Sequence, residues 1–514
     1  MINVRQFRKQ GGILTRSKLW LYEQVRLKKL NSPFGYALFL AMALVISVSI
    51  AWIGSPGCFI ALGGLIGLAI VIGCLISTPF GFYFTIGYCF FVFVIKRIIF
   101  PADPPLGSAS EVTIFATFLG IIIKKIAHRD KGWSHSRNPI TYVYLVYLAY
   151  MGVEVMNTYG GALAGWFFVY RKFVELVLFY FIALHIFTDM KSIKYFFKFW
   201  LVMALISGLY GCWQELYGMH GFELRFLVGN PIIFILDFQG GQFRKTGTLS
   251  DPMAFGILMA VTCIFSLVLS MGPFSPRNRW LLLITAVVTG LGMAFSGTRT
   301  ATAIIPAAIL LFGLMTITNR KTLIFLCAFV MIGGIAMFGP FYGDATLNRM
   351  RTAFIGDKDP SMMVRDIHRK AIQPLMYSHP FGFGLATTGT MGMEYNPWNP
   401  LARFPPDSSY VRLALELGPV GLALTLFLYF LLLKVGINAY YRTRDPKTRF
   451  FAAASVAVLF AWTIAQYSQE AVGQIPGALT YYPLLAALIK LREFDKNRGN
   501  DSILAPENGL TPVL

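Results

Sequence analysis

Three stretches gather the residues in this chain that could hold an anion or a sugar. FRKTGTLSDPMAFG (243–256) sets Arg244 and Lys245 ahead of a Gly-Thr turn and then opens a helix at Asp251-Pro252. A helix N-terminus beside two cations is a natural cradle for phosphate oxygens, and Asp251 is equally suited to cap that helix. FSGTRTA (295–301) is a very tight connection between two apolar segments, with Arg299 at the boundary. Its guanidinium offers a planar fork of donors that suits pyrophosphate and stays charged at any working pH; an interfacial arginine reaching lipid phosphate is the alternative. The third stretch is the loop around HPFGFG (379–384). Before it, SMMVRDIHRKAIQPLMY (361–377) places Met363, Ile367, Ala371 and Leu375 on one side at helical spacing, with Arg365 and Arg369 on another. That pattern predicts a helix resting on the membrane surface. After it come Glu394, Tyr395, Trp398, Arg403 and Asp407. Aromatics beside carboxylates suit sugar rings, although Trp and Tyr also populate ordinary interfacial belts.

The elements that must position these residues are membrane helices. The chain is 56% hydrophobic and only 13% charged, well below the roughly 25% of soluble domains, so it is an integral membrane protein. Its +21 net charge sits in short clusters between apolar runs, which is a topology signal and not a nucleic-acid footprint. The cysteines lie in or beside apolar spans without metal or disulfide spacing. A basic segment, 1–34, precedes the first apolar run, and no cleavable signal is visible in it. An all-α fold of about fourteen transmembrane helices is expected, near 35–53, 57–76, 80–100, 111–126, 139–157, 163–187, 195–216, 251–271, 280–296, 301–317, 321–339, 410–434, 450–468 and 474–490. Domain by domain this gives the basic segment 1–34, eleven spans over 35–339, a large outer loop over 340–409, three spans over 410–490 and a tail over 491–514.

With the N-terminus inside, alternate loops are Lys/Arg-rich and both ends of the chain are cytoplasmic. The segments 217–250, 297–300 and 340–409 then face outward, to the periplasm of a bacterium. They carry arginines and lysines against the topological rule, which points to an anionic ligand; pairing with nearby aspartates is the plainer account. Inside the spans, Arg171, Lys172 and Glu175 lie at membrane depth, where charges pair, snorkel or line cavities. Arg171 and Glu175 are four apart and can meet on one helix face; Glu416, below the large loop, is a similar case.

Together, RKTGT, SGTRTA, VRDIHRKAIQPLMYSHPFGFG and PDSSYVRLALELGPVG resemble the bacterial O-antigen ligase and polymerase family over about residues 240–435. The resemblance implies a metal-independent glycosyltransferase without cofactor in the bacterial inner membrane, acting on polyprenyl-pyrophosphate-linked glycans at the periplasmic face. Membrane lipids, and chain-length regulator and flippase proteins, are the partners it implies; nucleic acid is not. Ligases of the family generally have His where this chain has Asp407, so the polymerase reading is favoured over ligation to a lipid or protein acceptor. For such a transfer Arg299 and Arg244 are the candidate cations for the leaving pyrophosphate, with Lys245, Arg365, Arg369 and Arg403 placing substrate. Asp407 is the first candidate proton acceptor, with Glu394 and His379 behind it. A transporter is the reading from a different class, and the chain shows no internal repeat to support it.

Overall fold

The computed structural model describes residue 23 and residues 31–53, 55–101, 106–128, 137–239, 241–340, 348, 350–351, 360–406 and 408–504; the side chains at 53–60, 336–337, 360–366 and 496–504 are outside that description. A helix covers each stretch expected to span: α1 (Pro33–Ile53), α2 (Ser55–Ile76), α3 (Thr78–Ile99), α4 (Ser108–Ala127), α5 (Pro139–Val153), α6 (Leu163–Ile186) and α7 (Met190–Tyr217). Two short helices that the apolar pattern did not predict follow, α8 (Gly221–Val228) and α9 (Pro231–Asp237), and then a two-stranded hairpin of β1 (Phe238–Gln239) and β2 (Gln242–Phe243). The chain continues through α10 (Pro252–Ser270), α11 (Pro276–Phe295), α12 (Arg299–Met315) and α13 (Arg320–Phe338). The large loop holds α14 (Pro360–Ser378) and α15 (Gly389–Tyr395), and after it come α16 (Ser409–Glu416), α17 (Gly418–Arg442), α18 (Pro446–Ala465) and α19 (Gly477–Leu504).

By length and composition eight described helices can cross a bilayer, namely α1, α3, α5 as far as Met156, α7, α10, α11, α17 and α18. The chain is therefore a multi-pass, all-α membrane protein, with eight spans on that measure against the fourteen expected. Among the others, α12 is 17 residues long. Helix α6 carries Arg171, Lys172 and Glu175, which lower its hydropathy.

The chain divides into two compact units, 1–84 with 112–133, and 85–111 with 134–514. In the first, α4 crosses α2 closely enough that a Cβ on Gly120 would stand 2.4 Å from the Leu75 carbonyl oxygen, so only glycine fits. Lys124 donates to Thr78 Oγ1 at 2.9 Å. In the second, α10 is the centre. Its spanning window is 89% buried against 6% for α1, because it is apolar on every face and packs against α11, α12 and α18. Asp251 caps it, accepting from Met253 N and Ala254 N at 2.9 Å each. Glycine at 208 lets α7 approach α11, and Trp200 lies fully buried on α7 against Phe265 of α10.

The helix ends of this second unit fall into two groups. Lys245 N donates to Phe295 O, and Ser409 N donates to Gln466 O, so the 243–251, 295–299, 408–416 and 466–474 segments share one end. At the other, Arg444 N and Asp445 N donate to the Asp495 carboxylate, and Tyr441 donates to Met315 O.

Three expectations are corrected. The chain does not enter one continuous span at Tyr410: α16 stops at Glu416, and α17 starts at Gly418. The carbonyls at the end of α16 are instead satisfied from outside the helix. Leu415 O accepts from Phe383 N at 2.8 Å, Glu416 O from Gly384 N at 2.9 Å and Leu417 O from Tyr150 OH at 2.6 Å. Helix α14 does not reserve its apolar side for lipid. Ile372, Leu375 and Met376 pack with Phe383, Leu401 and Leu415 of the protein itself, leaving Ile367 outside at 59% exposure. Arg171 pairs not with Glu175 but with Glu111 of α4, Nε to Oε2 at 3.2 Å, as charges within spans find partners across helices.

The crossing at Gly382 and Gly418 tolerates no side chain. Both have positive φ, 76° and 69°; a Cβ on Gly418 would collide with the Pro380 carbonyl, and one on Gly382 would stand 2.5 Å from Glu416 O. Gly418→Ala should therefore cost roughly 2 kcal/mol or more, read as a lower melting temperature in detergent. Gly67→Ala, where an added Cβ meets nothing within 4 Å, should leave melting unchanged.

Candidate functional site

Arg244 emerges from β2 with its backbone N donating to Asp237 O at 2.9 Å. Its guanidinium reaches the tight turn between α11 and α12, with Nε to Ser296 O at 3.0 Å and Nη2 to Thr298 Oγ1 at 2.9 Å. Thr298 in turn donates to Pro252 O at 2.9 Å, so the first two stretches and the start of α10 are stitched together. Gly297, at φ 58°, makes the turn short enough, and Arg299 is the first residue of α12. Burial pushes the Arg244 pKa down, and the Arg299 charge adds to this; Asp237 and Asp251 oppose both. Two arginines 55 positions apart thus share one electrostatic environment.

The loop that follows is held from below. Arg97, fully buried on α3, donates to the carbonyls of Gly247, Leu249 and Ser250, and Glu223 lies 3.9 Å from its Nη1. Gly247 N donates to Gln214 Oε1 at 2.9 Å, and Thr248 Oγ1 donates to Ser207 at 2.8 Å. Lys245 is buried and its ammonium faces Glu215 at 3.3 Å and Phe243 O at 3.0 Å. Lys245 is thus paired within the scaffold that holds the Gly-Thr turn, and Asp251 accepts from the first N–H groups of α10.

Of the other candidates, Asp407 lies outside the described residues, and Arg365 lies on α14 where side chains are not described. Arg369 donates from Nη1 to Tyr467 OH at 2.6 Å and stacks over that ring at 4.5 Å. His379 packs between Tyr159 and Phe383, with ring centroids 4.8 and 4.0 Å away, and its Nδ1 meets Ser378 Oγ at 2.8 Å. Glu394, on α15, and Arg403, in the turn after it, are exposed.

A cavity of about 480 Å³ opens beside these groups. Its polar wall carries Lys172, Asp251, Arg412, Glu416 and Glu470; Tyr144, Tyr147, Tyr429, Tyr481 and Tyr482 line its apolar side. None of the nine candidates is among its described lining residues. Two of their near neighbours are: Asp251 follows Arg244, and Arg412 follows Asp407. Arg412 donates from Nε to Glu416 Oε1 at 3.2 Å and from Nη1 to Glu470 Oε2 at 2.5 Å, and Thr388 of the large loop donates to the same Glu416 oxygen at 2.5 Å.

The α18–α19 connection, QYSQEAVGQ (466–474), is the part that sequence reasoning missed. It gathers the site's elements. Gln466 O accepts from Ser409 N, Tyr467 holds Arg369, Ser468 Oγ lies 2.5 Å from Thr300 Oγ1 beside Arg299, and Glu470 holds Arg412. Gln466 orders the connection itself, accepting from Ala471 N at 2.7 Å and donating to Tyr429 OH at 3.0 Å. Its signal in the sequence is a run of amides, a hydroxyl and an acid between two apolar helices.

Residues 284–426, from within α11 to within α17, match the family model described as O-antigen ligase. That stretch is similar to O-antigen ligases. It contains the Arg299 turn, the large loop and α16, while Arg244 and the 466–474 connection lie outside the matched residues. No curated protein matches the chain. Among the described residues, no group of three or more His, Cys, Asp or Glu could hold a metal ion.

Asp237 gives a pH signature for the Arg244 corner. Burial raises its carboxyl from 3.8 to about 6; Asp251 acts in the same direction, and Arg244 and Arg97 oppose it. The folded state then keeps a proton that the unfolded chain has lost, so stability falls as pH rises from 3.8 to about 6. Asp237→Asn should remove that slope in melting temperatures taken across the same range.

Proposed function

We propose that this protein is a polymerase of lipid-linked oligosaccharide repeat units. It transfers a glycan from polyprenyl pyrophosphate to a sugar hydroxyl of a second unit, at the periplasmic face of the bacterial inner membrane, with both termini cytoplasmic. The supporting observation is the pairing of Arg244 with the Arg299 turn at one end of the bundle, next to a cavity to which residues of the matched stretch, Arg412 and Glu416 among them, contribute. Burial is the main burden on the Arg244 guanidinium; Asp237 and Asp251 offset it and outweigh the smaller effect of the Arg299 charge. A pyrophosphate would replace the solvation that this buried cation lacks, and most strongly as the leaving group gains charge.

In the reaction the bond from the donor's anomeric carbon to the phosphate oxygen breaks, and its electron pair leaves with the pyrophosphate. The acceptor oxygen forms the new glycosidic bond, and its proton passes to a carboxylate. Arg299 and Arg244 face the leaving group in this scheme, and Asp407, three positions after Phe404 of the loop core, is the proton acceptor. Arg369 and Arg365 on α14 and Arg403 place the lipid-linked partners. The chain-length regulator and flippase expected of such a system would dock elsewhere.

The family description favours a second reading, ligation of the glycan to a lipid or protein acceptor. Asp407, where ligases generally have His, supports the polymerase. Reconstituted protein given its host's lipid-linked repeat unit should yield a ladder of longer lipid-linked glycans. Arg299→Ala should reduce it on the order of 10²-fold, and Asp407→Asn roughly 10²- to 10⁴-fold. Product appearing only on an added lipid or protein acceptor would replace the polymerase with a ligase. Full activity in Asp407→Asn would remove Asp407 from the reaction.

A further inference from the structure

The charges of the cavity do not favour an anion. Lys172 and Arg412 are outnumbered by Asp251, Glu416 and Glu470, and Arg412 already lies between two of those carboxylates. A neutral ligand rich in hydroxyls suits such a lining. The lining also includes five tyrosines, Tyr144, Tyr147, Tyr429, Tyr481 and Tyr482, whose ring faces accept the apolar face of a sugar.

Arg412 and Glu470 present the matching groups. Arg412 uses Nε on Glu416 and Nη1 on Glu470, which leaves Nη2 as a donor. Glu470 uses Oε2 on Arg412, which leaves Oε1 as an acceptor, and its side chain is 51% exposed although it belongs to the cavity wall. Gly473 keeps the approach to that oxygen open: a Cβ there would stand 3.1 Å from Oε1. A donor and an acceptor held side by side in one ion pair complement two adjacent hydroxyls, each of which both donates and accepts.

We infer that the Arg412–Glu470 pair is a sugar subsite that binds neighbouring hydroxyls of the acceptor glycan, separate from the Arg244–Arg299 corner that faces pyrophosphate. As an acceptor subsite it rests on the polymerase reading. Glu470 is a positioning residue: it orients the acceptor and takes no part in bond making. The sequence holds no local sign of the pair, because its members are 58 positions apart.

The test separates sugar from phosphate. Full-length protein in detergent is titrated with two probes, the free oligosaccharide released from the host's repeat unit and polyprenyl pyrophosphate bearing no sugar. Glu470→Gln keeps the side-chain shape and loses the charge. It should weaken oligosaccharide binding roughly tenfold or more and leave the pyrophosphate lipid within twofold, whereas Arg299→Ala should do the reverse. In turnover, Glu470→Gln should raise KM for the acceptor with kcat little changed. Glu470→Asp, which withdraws the carboxylate by one methylene, is the second variant should the first not fold; equal melting temperatures establish that either is intact. Three results would overturn the inference: oligosaccharide affinity unchanged in the variants, equal loss of both probes, or no oligosaccharide binding by the wild-type protein. A wild-type protein that makes no ladder but loses oligosaccharide binding with Glu470→Gln would refute the polymerase and leave the sugar subsite standing.

Discussion

The backbone crossing of 380–384 with the α16–α17 junction sets where everything at this end of the molecule can lie. A helix that ends below the surface leaves carbonyls without partners, and in a membrane protein no water is at hand to take them. Here the 383–384 segment of the large loop and Tyr150 take them, which requires the two backbones to approach at Gly382 and Gly418. The consequence is positional. The loop is pinned on the bundle, Thr388 is brought to Glu416, and Glu416 and Glu470 hold Arg412 between them. A continuous helix through 410–434 would have sent those side chains along one face of a rod, without the cavity.

The helices were legible because each needs about 20 apolar residues and the chain supplies them in bounded runs. The tight Arg299 turn was legible for a related reason: Gly297 between two such runs allows little else. What escaped the sequence was non-local. Arg171 has Glu175 one turn away and still pairs with Glu111, since charges within spans find partners across helices. The break at Leu417–Gly418 lies within an apolar segment, where hydropathy alone cannot distinguish one span from two helices. The partner of Lys245, Glu215, lies 30 positions away and leaves no local trace in the sequence. The connection 466–474 reads as a plain link between two spans, and its role follows only from four partners spread from Thr300 to Arg412.

The two parts of this end share a carboxylate. The Arg244–Arg299 corner holds two arginines with Asp237 and Asp251, and the cavity beside it holds two cations among three carboxylates, Asp251 belonging to both. On the proposed function, a substrate carrying both a pyrophosphate and a glycan would set its charged part at the corner and its sugar in the cavity.

The size of the cavity carries one more consequence. At about 480 Å³ it is no larger than a pocket for an ordinary small ligand, room for a few sugar rings. A glycan of ten units and one of a hundred would present the same terminus to it. On the proposed reaction this cavity would meet only the end of the growing glycan, so the contacts made there would not change as the chain lengthens.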